Sequence, residues 1–165
     1  VPVPDLFRIF GINAFTTYDR KEIHVDEYLY TNLEHSYRFT LAHELGHIIL
    51  HGYVFELTKI RSIGDWKQFI KDIEESEYRR LEFQANNFGG AFLVPSEVLE
   101  ENFNREITNF KDEMKKVIRS GIKRSDYIQY FIDLISSNLV PVFEVDQQVI
   151  RIRIERRGLE QKVSF

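Results

Sequence analysis

Two histidines and a glutamate in residues 43–47, which read HELGH, have the spacing of a metal site on a helix. Because residues i and i+4 lie on one face of an α-helix, the imidazoles of His43 and His47 can reach the same ion. Neutral imidazole is a good zinc ligand, and Glu44, one step around the helix, can take a proton from a water that the ion acidifies. The pattern predicts two metal ligands and a general base.

Two simpler interpretations fit the same five residues. An HExxH string also arises by chance, and two helical histidines can be ordinary surface or capping residues. All five histidines lie between His24 and His51, so the segment could simply be rich in histidine. A third ligand at a suitable position would favour the metal site over both alternatives.

A second helix, predicted over residues 77–93, supplies such a ligand. Apolar residues recur there at helical spacing: Leu81, Ala85, Phe88 and Phe92. Glu82 and Asn86 are four residues apart and share a face, so the carboxylate can bind zinc while the amide orients a ligand histidine. Taken alone, Glu82 could equally be a solvated helix glutamate.

The residues around both segments predict how the helices begin, end and meet. Ser36 or Thr40 could start the HExxH helix, and Gly52 is a suitable stop after His51. Glycine destabilises a helix by roughly 1 kcal/mol relative to alanine. The Gly89-Gly90 pair is therefore best explained by a close approach of the two helices, with Gly46 as the counterpart.

These segments together resemble the ImmA/IrrE family of bacterial and phage zinc metallopeptidases. The resemblance rests on RFTLAHELGHIILH at 38–51, EFQANNF at 82–88 and FLVP at 92–95, and it covers roughly residues 23–100. It implies a gluzincin-type site that holds one Zn²⁺ ion. In such a site His43, His47 and Glu82 are the ligands, Glu44 is the general base, and Asn86 supports a ligand histidine.

The resemblance also implies a function and a partner. The expected activity is that of an endopeptidase that cleaves a specific regulatory protein, typically a transcriptional repressor, and an edge strand beside the cleft is expected to pair with extended substrate. Two features depart from the family pattern. Gln84 stands where a second glutamate is common, and residues 53–76 look like an insertion, which could cover the cleft or simply decorate the domain.

Composition agrees with a small cytoplasmic enzyme. The chain has 165 residues, 43% of them hydrophobic, enough for a packed core. It has no cysteine, so a metal must take nitrogen and oxygen donors. A net charge of −4 gives no general attraction to nucleic acid or to anionic membranes, and no apolar run approaches membrane-spanning length. The sequence does not indicate an oligomeric state.

The predicted fold class is α+β: a mainly helical metallopeptidase domain with a small N-terminal antiparallel sheet packed on the HExxH helix. Residues 12–18 and 22–30 read as a hairpin. The metallopeptidase core is predicted over 1–104, and its insertion at 53–76 is expected to contain a short strand at 53–57 and then an amphipathic helix at 66–73. Residues 105–165 are predicted to form a C-terminal helical region, with one helix at 106–119.

The segment at 148–157 is ambiguous. Its alternating apolar residues suit a strand, but Asp146 and Gly158 are suitable helix caps, and we favour a helix. Its arginines suit either a solvated basic face or DNA contact. Two other functions therefore stay open: a DNA-binding regulator that uses this segment, and a metal-bound interaction module that sequesters a regulator without cutting it.

Overall fold

The computed structural model describes residues 1–58 and 60–163, which form two compact units, Val1–Phe92 and Leu93–Phe165. The predicted fold class is confirmed, since helices dominate and a small sheet lies near the N-terminus. The elements of the first unit are β1 (Pro2–Val3), α1 (Leu6–Phe10), β2 (Ala14–Thr16), β3 (Ile23–Asp26), α2 (Glu27–Asn32), α3 (Glu34–Leu50), α4 (Gly52–Thr58), α5 (Ile63–Asp72) and α6 (Glu75–Leu93). The predicted division of the chain at residue 104 stays a prediction.

The sheet has the strand order β1-β3-β2. The predicted hairpin is confirmed: β2 and β3 are antiparallel, with Phe15 opposite His24. The two-residue strand β1 joins the other side of β3 in parallel, so the sheet is mixed rather than purely antiparallel. Strand β2 consequently forms one edge of the sheet, and β3 lies in the middle.

Strand β3 is shorter than predicted. Residues 27–30 were expected to continue the strand, but they form helix α2. The Asp26 carboxylate accepts hydrogen bonds from the backbone N–H groups of Tyr28 and Leu29 and so caps this helix. The aromatic residues of 27–30 favour a strand by propensity, but this cap ends the strand at Asp26.

The HExxH segment is helical, as predicted, but the helix begins earlier than expected. Helix α3 begins at Glu34, before Ser36 and Thr40, and ends at Leu50 with His51 as the C-cap. The helix therefore stops directly before Gly52, as predicted, and Gly52 itself opens α4.

The predicted strand at 53–57 is also wrong, because these residues belong to α4. Packing overrides their strand propensity, since Phe55 faces inward and is only 9% exposed. The helix predicted at 66–73 is confirmed as α5, which starts with a capping box in which Ser62 and Asp65 bond to each other's backbone N–H groups. The helix predicted over 77–93 is confirmed as α6.

The second unit is helical. Its elements are α7 (Ser96–Asn109), α8 (Lys111–Arg119), α9 (Arg124–Asn138), α10 (Val140–Phe143), α11 (Gln147–Arg156) and a 3₁₀ turn at Leu159–Val163. The single helix predicted over 106–119 is wrong, because Phe110 separates α7 from α8. The apolar spacing of Ile107, Phe110 and Met114 continues across this break, so periodicity could not reveal it.

Helix α11 confirms the favoured interpretation of residues 148–157. The side chains of Ile150 and Ile154 are fully buried in the core of the second unit. Two of the arginines hold this helix in place: Arg151 pairs with Asp133 at 2.5 Å, and Arg153 donates to the Ser96 hydroxyl at 2.8 Å. These contacts explain part of the basic character of the segment without a nucleic-acid partner.

Candidate metal centre

The two predicted ligand helices, α3 and α6, approach each other closely at two glycines. A Cβ atom on Gly46 would lie 3.1 Å from the Ala85 Cα, and one on Gly89 would lie 3.2 Å from the His43 backbone nitrogen. Both distances are shorter than an ordinary carbon contact. The predicted role of these glycines is confirmed, because larger residues would separate the helix that carries both histidines from the helix that carries Glu82.

Three predicted ligand side chains converge between these helices. The Nε2 atoms of His43 and His47 lie 3.0 Å apart. Oε2 of Glu82 lies 3.4 Å from the His43 Nε2, and Oε1 of Glu82 lies 3.3 Å from the His47 Nε2. Four ligands about 2.0–2.1 Å from one ion at tetrahedral angles are about 3.3 Å from each other. The measured separations are close to this value, with a different Glu82 oxygen nearest each imidazole, so the three side chains could hold one metal ion between them.

The Nδ1 atom of His43 faces the predicted supporting residue. It lies 3.1 Å from the Asn86 Oδ1, which can only accept, so the ring donates from Nδ1. A neutral histidine that donates from Nδ1 has its lone pair on Nε2, the atom that faces the other ligands. Asn86 thus holds His43 in the tautomer that a metal requires.

His47 is held by a chain of two contacts that the sequence did not predict. Its Nδ1 lies 3.0 Å from the Nδ1 of His51, whose Nε2 lies 2.9 Å from the Gln84 Oε1. The Gln84 oxygen accepts, so neutral His51 carries its proton on Nε2 and accepts at Nδ1. His47 must then donate from Nδ1, which leaves its Nε2 free to bind a metal. His51 is buried, with 2% of its surface exposed.

The predicted base, Glu44, lies in a buried position beside the donors. Only 8% of its surface is exposed, and the Thr16 hydroxyl donates to its Oε2 at 2.7 Å. Burial raises the pKa of Glu44, and the hydrogen bond from Thr16 together with the neighbouring histidines offsets only part of this rise. Thr16 lies 28 residues earlier, on strand β2, and no sequence signal connected it with Glu44.

The protonation states of the candidate metal ligands depend on one another. Burial alone would raise the pKa of Glu82, but in the metal-free protein the protonated forms of His43 and His47 outweigh it through hydrogen bonds and charge, and lower the pKa from 4.5 to about 2. Burial opposes protonation of His43, yet the hydrogen bond and charge of Glu82 raise its pKa above 6.5. Glu82 is thus a carboxylate over the whole physiological range.

A cavity of about 410 Å³ opens beside the donors. It is lined by residues 11–16, by side chains of α3 and α6, and by an apolar group from the segment at 54–70. Tyr78 is also part of the lining, and burial followed by the charge of Glu82 raises its pKa to about 12, so its phenol stays a hydrogen-bond donor. Its spacing of four residues before Glu82 was the available sequence signal.

Among the described residues, four ring-bearing residues that precede the HExxH motif do not line the cavity. Within the described residues, the cavity lining does not include Tyr28, Tyr30 or Tyr37. His24 stacks on Phe15, with ring centroids 4.8 Å apart, and does not line the cavity either. The polar groups available to a substrate therefore come mainly from β2, α3 and α6.

A helix with the HExxH pair that faces a carboxylate on a second helix is typical of metallopeptidases. The family model Peptidase_M78, described as the IrrE N-terminal-like domain, matches residues 13–155, and the chain belongs to this family. The match confirms the resemblance recognised in the motifs. No curated protein and no solved structure matches the chain significantly. Across residues 1–58 and 60–163, no helix is both long and apolar enough to cross a membrane.

Proposed function

We propose that this protein is a zinc-dependent endopeptidase. The observation that carries the proposal is the convergence of His43, His47 and Glu82 beside the buried carboxylate of Glu44. Two imidazoles and one carboxylate are a known ligand set of catalytic zinc, which leaves a fourth position open. Manganese and iron also accept nitrogen and oxygen donors, so metal analysis and anomalous scattering from crystals should identify the ion.

Each side chain has a defined task in hydrolysis. A divalent ion held by His43, His47 and Glu82 would supply Lewis acidity, which lowers the pKa of a water molecule and polarises a peptide carbonyl. Glu44 accepts the proton of the attacking water and then delivers it to the leaving nitrogen. Thr16 bonds to Oε2 of Glu44, so Oε1 is the oxygen left for the water. Burial favours this proton transfer because it raises the proton affinity of Glu44.

The edge of strand β2 that faces away from β3 suits an extended protein substrate along Ala14–Thr16; just beyond the strand, the Tyr18 N–H donates to the Ile60 carbonyl. The backbones of Asn13 and Thr17 hydrogen-bond to the β3 side of the hairpin. Because the direction of backbone groups alternates along an antiparallel strand, the N–H and C=O groups of Ala14 and Thr16 point to the opposite edge. Residues 11–16 line the cavity. We expect substrate to add a strand here, which gives affinity with little sequence demand.

The substrate we propose is a regulatory protein inside the cell, in particular a transcriptional repressor. This part of the proposal is supported by the resemblance to the ImmA/IrrE family. Incubating the purified protein with a repressor encoded beside its gene should yield two fragments, whose new ends mass spectrometry would locate. If no neighbouring regulator is cleaved with the metal site fully loaded, this choice of substrate is wrong.

Replacing Glu44 with glutamine tests the catalytic role. Glu44→Gln should keep its metal, because Glu44 is not one of the converging donors, but cleavage should slow by about 100- to 10,000-fold. Glu34→Gln is a matched control, since Glu34 lies in the first turn of the same helix. Cleavage or gene activation that persists at the wild-type level in Glu44→Gln would favour a metal-bound interaction module instead.

A further inference from the structure

One side of the cavity is built from the segment that looked like an insertion. Helices α4 and α5 and the residues between them contribute six apolar side chains, which we call the apolar wall: Val54, Phe55, Ile60, Trp66, Phe69 and Ile70. They line the same cavity as the metal donors. The wall is therefore continuous with the place where a peptide bond would be cut.

The burial of the wall residues divides them into support and contact surface. Phe55 and Ile60 are 9% and 5% exposed, so these two side chains are packed within the protein and support the rest of the wall. Trp66, Phe69 and Ile70 are only partly buried, so their rings and methyl groups still face open space. Partly exposed aromatic side chains in a cavity gain free energy when an apolar group covers them.

The wall offers nothing to balance a charged ligand. In the described parts of the chain, Glu44 and Glu82 are the carboxylates that line the cavity, both belong to the metal centre, and no lysine or arginine lines it. Nearby cations contact other rings instead: Lys67 lies over Phe10 and Arg61 over Tyr18. A charged side chain placed against the wall would lose water without gaining a partner, which is unfavourable.

We propose that the apolar wall binds a bulky aliphatic or aromatic side chain of the polypeptide substrate, next to the peptide bond that is cleaved. The proposal rests on the peptidase function above and adds its side-chain preference. It also gives the segment at 53–76 a task in substrate selection rather than in packing alone. A substrate strand along β2 would be held by its backbone, and the wall would select one side chain.

The test uses the full zinc-loaded protein and blocked amino-acid hydroxamates, whose hydroxamate group binds the metal. The side chain of the probe is leucine, phenylalanine, alanine, aspartate or lysine, and calorimetry gives each Kd. Leucine and phenylalanine probes should bind roughly 10- to 100-fold more tightly than the alanine probe. Aspartate and lysine probes should bind no more tightly than alanine. Equal binding of the leucine and aspartate probes, or no binding of either, overturns the proposal.

Trp66 provides a second readout, because it is the only tryptophan in the chain. Its emission should shift to shorter wavelength with the leucine probe, and Trp66→Phe should remove this signal. Phe69→Ala should abolish the preference for leucine but keep the affinity for alanine, whereas Leu57→Ala should keep both, since Leu57 lies on α4 but is 79% exposed and outside the lining. A leucine preference that survives Phe69→Ala overturns the proposal.

The two proposals fail in different ways. If the leucine preference is present but no peptide or protein is ever cleaved, the wall is retained and the peptidase function is refuted. If peptides are cleaved with equal rates whether the residues beside the scissile bond are apolar or charged, the peptidase function is retained and the wall is refuted.

Discussion

Replacing Gln84 with leucine should weaken metal binding although Gln84 is not a ligand. Gln84 accepts from the Nε2 of His51, and His51 in turn accepts from His47. Without the Gln84 oxygen, the Nε2–H of buried His51 loses its acceptor, so the tautomer of His51 with its proton on Nδ1 becomes the more stable one. It would then donate to the Nδ1 of His47 and place the proton of His47 on Nε2, the atom proposed to bind the metal.

The size of the effect follows from this rearrangement. Metal binding would have to restore the original tautomers and leave the Nε2–H of a 2% exposed His51 without an acceptor. Leaving one buried donor unpaired costs about 1–3 kcal/mol, which corresponds to a loss of affinity of roughly 5- to 150-fold. Removal of outer partners of metal-bound histidines typically weakens binding by about 10- to 100-fold, in the same range.

The assay is competition for zinc against a chromophoric chelator at fixed pH, with circular dichroism to verify folding. Gln84→Glu should bind within a few-fold of wild type, because a carboxylate also accepts from His51. Asn87→Leu is a neighbouring control, since Asn87 lies on the same helix, α6, but is not part of the contacts that join His47, His51 and Gln84. The reasoning is refuted if folded Gln84→Leu binds zinc as tightly as wild type and nitrogen NMR shows His47 with its proton on Nδ1.

Three further predictions concern the same centre. Thr16→Val should lower kcat about 10- to 100-fold through loss of the bond to Glu44, with zinc affinity unchanged and Thr16→Ser close to wild type; an unchanged kcat would contradict this role. The pKa of His43 lies above 6.5 in the metal-free protein, so protons compete with zinc for this ligand at a higher pH than they would for an ordinary histidine. When the pH is lowered from 8 to 6, zinc affinity should therefore begin to fall before pH 6.5 is reached, by about tenfold per pH unit. Constant affinity over this range would contradict the prediction. Gly89→Ala should destabilise the fold by about 1–3 kcal/mol and weaken zinc binding. Gly64→Ala should do neither, because its new Cβ would have its nearest neighbour at 3.5 Å. Thermal melts of both variants check this.

Local spacing in the sequence was enough for the parts of the site that lie on one helix. The pairs His43/His47 and Glu82/Asn86 are each four residues apart, and helix geometry alone places each pair on one face. The glycines at 46 and 89 indicated that two helices meet closely, which the structure confirms. The hairpin and the helical fold class followed from similarly local patterns.

Local spacing failed where capping or packing decides the structure. Residues 27–30 and 53–57 have strand-prone side chains, yet a cap at Asp26 and inward packing of Phe55 make both segments helical. The break at Phe110 is hidden because the apolar periodicity continues through it. In each case, secondary-structure propensity contributes only a fraction of the free energy that a buried side chain or a satisfied backbone group contributes.

The residue types and their spacing by themselves determined which side chains could bind a metal and which could act as a base. Only the tertiary structure decided that Thr16 bonds to Glu44, that Gln84 acts on His47 through His51, and that α4 and α5 line the cavity. The physical reason is that these contacts join separate elements. They depend on the offset between a strand and a helix, or between two helices, and such offsets are set by packing of the whole unit rather than by any local repeat.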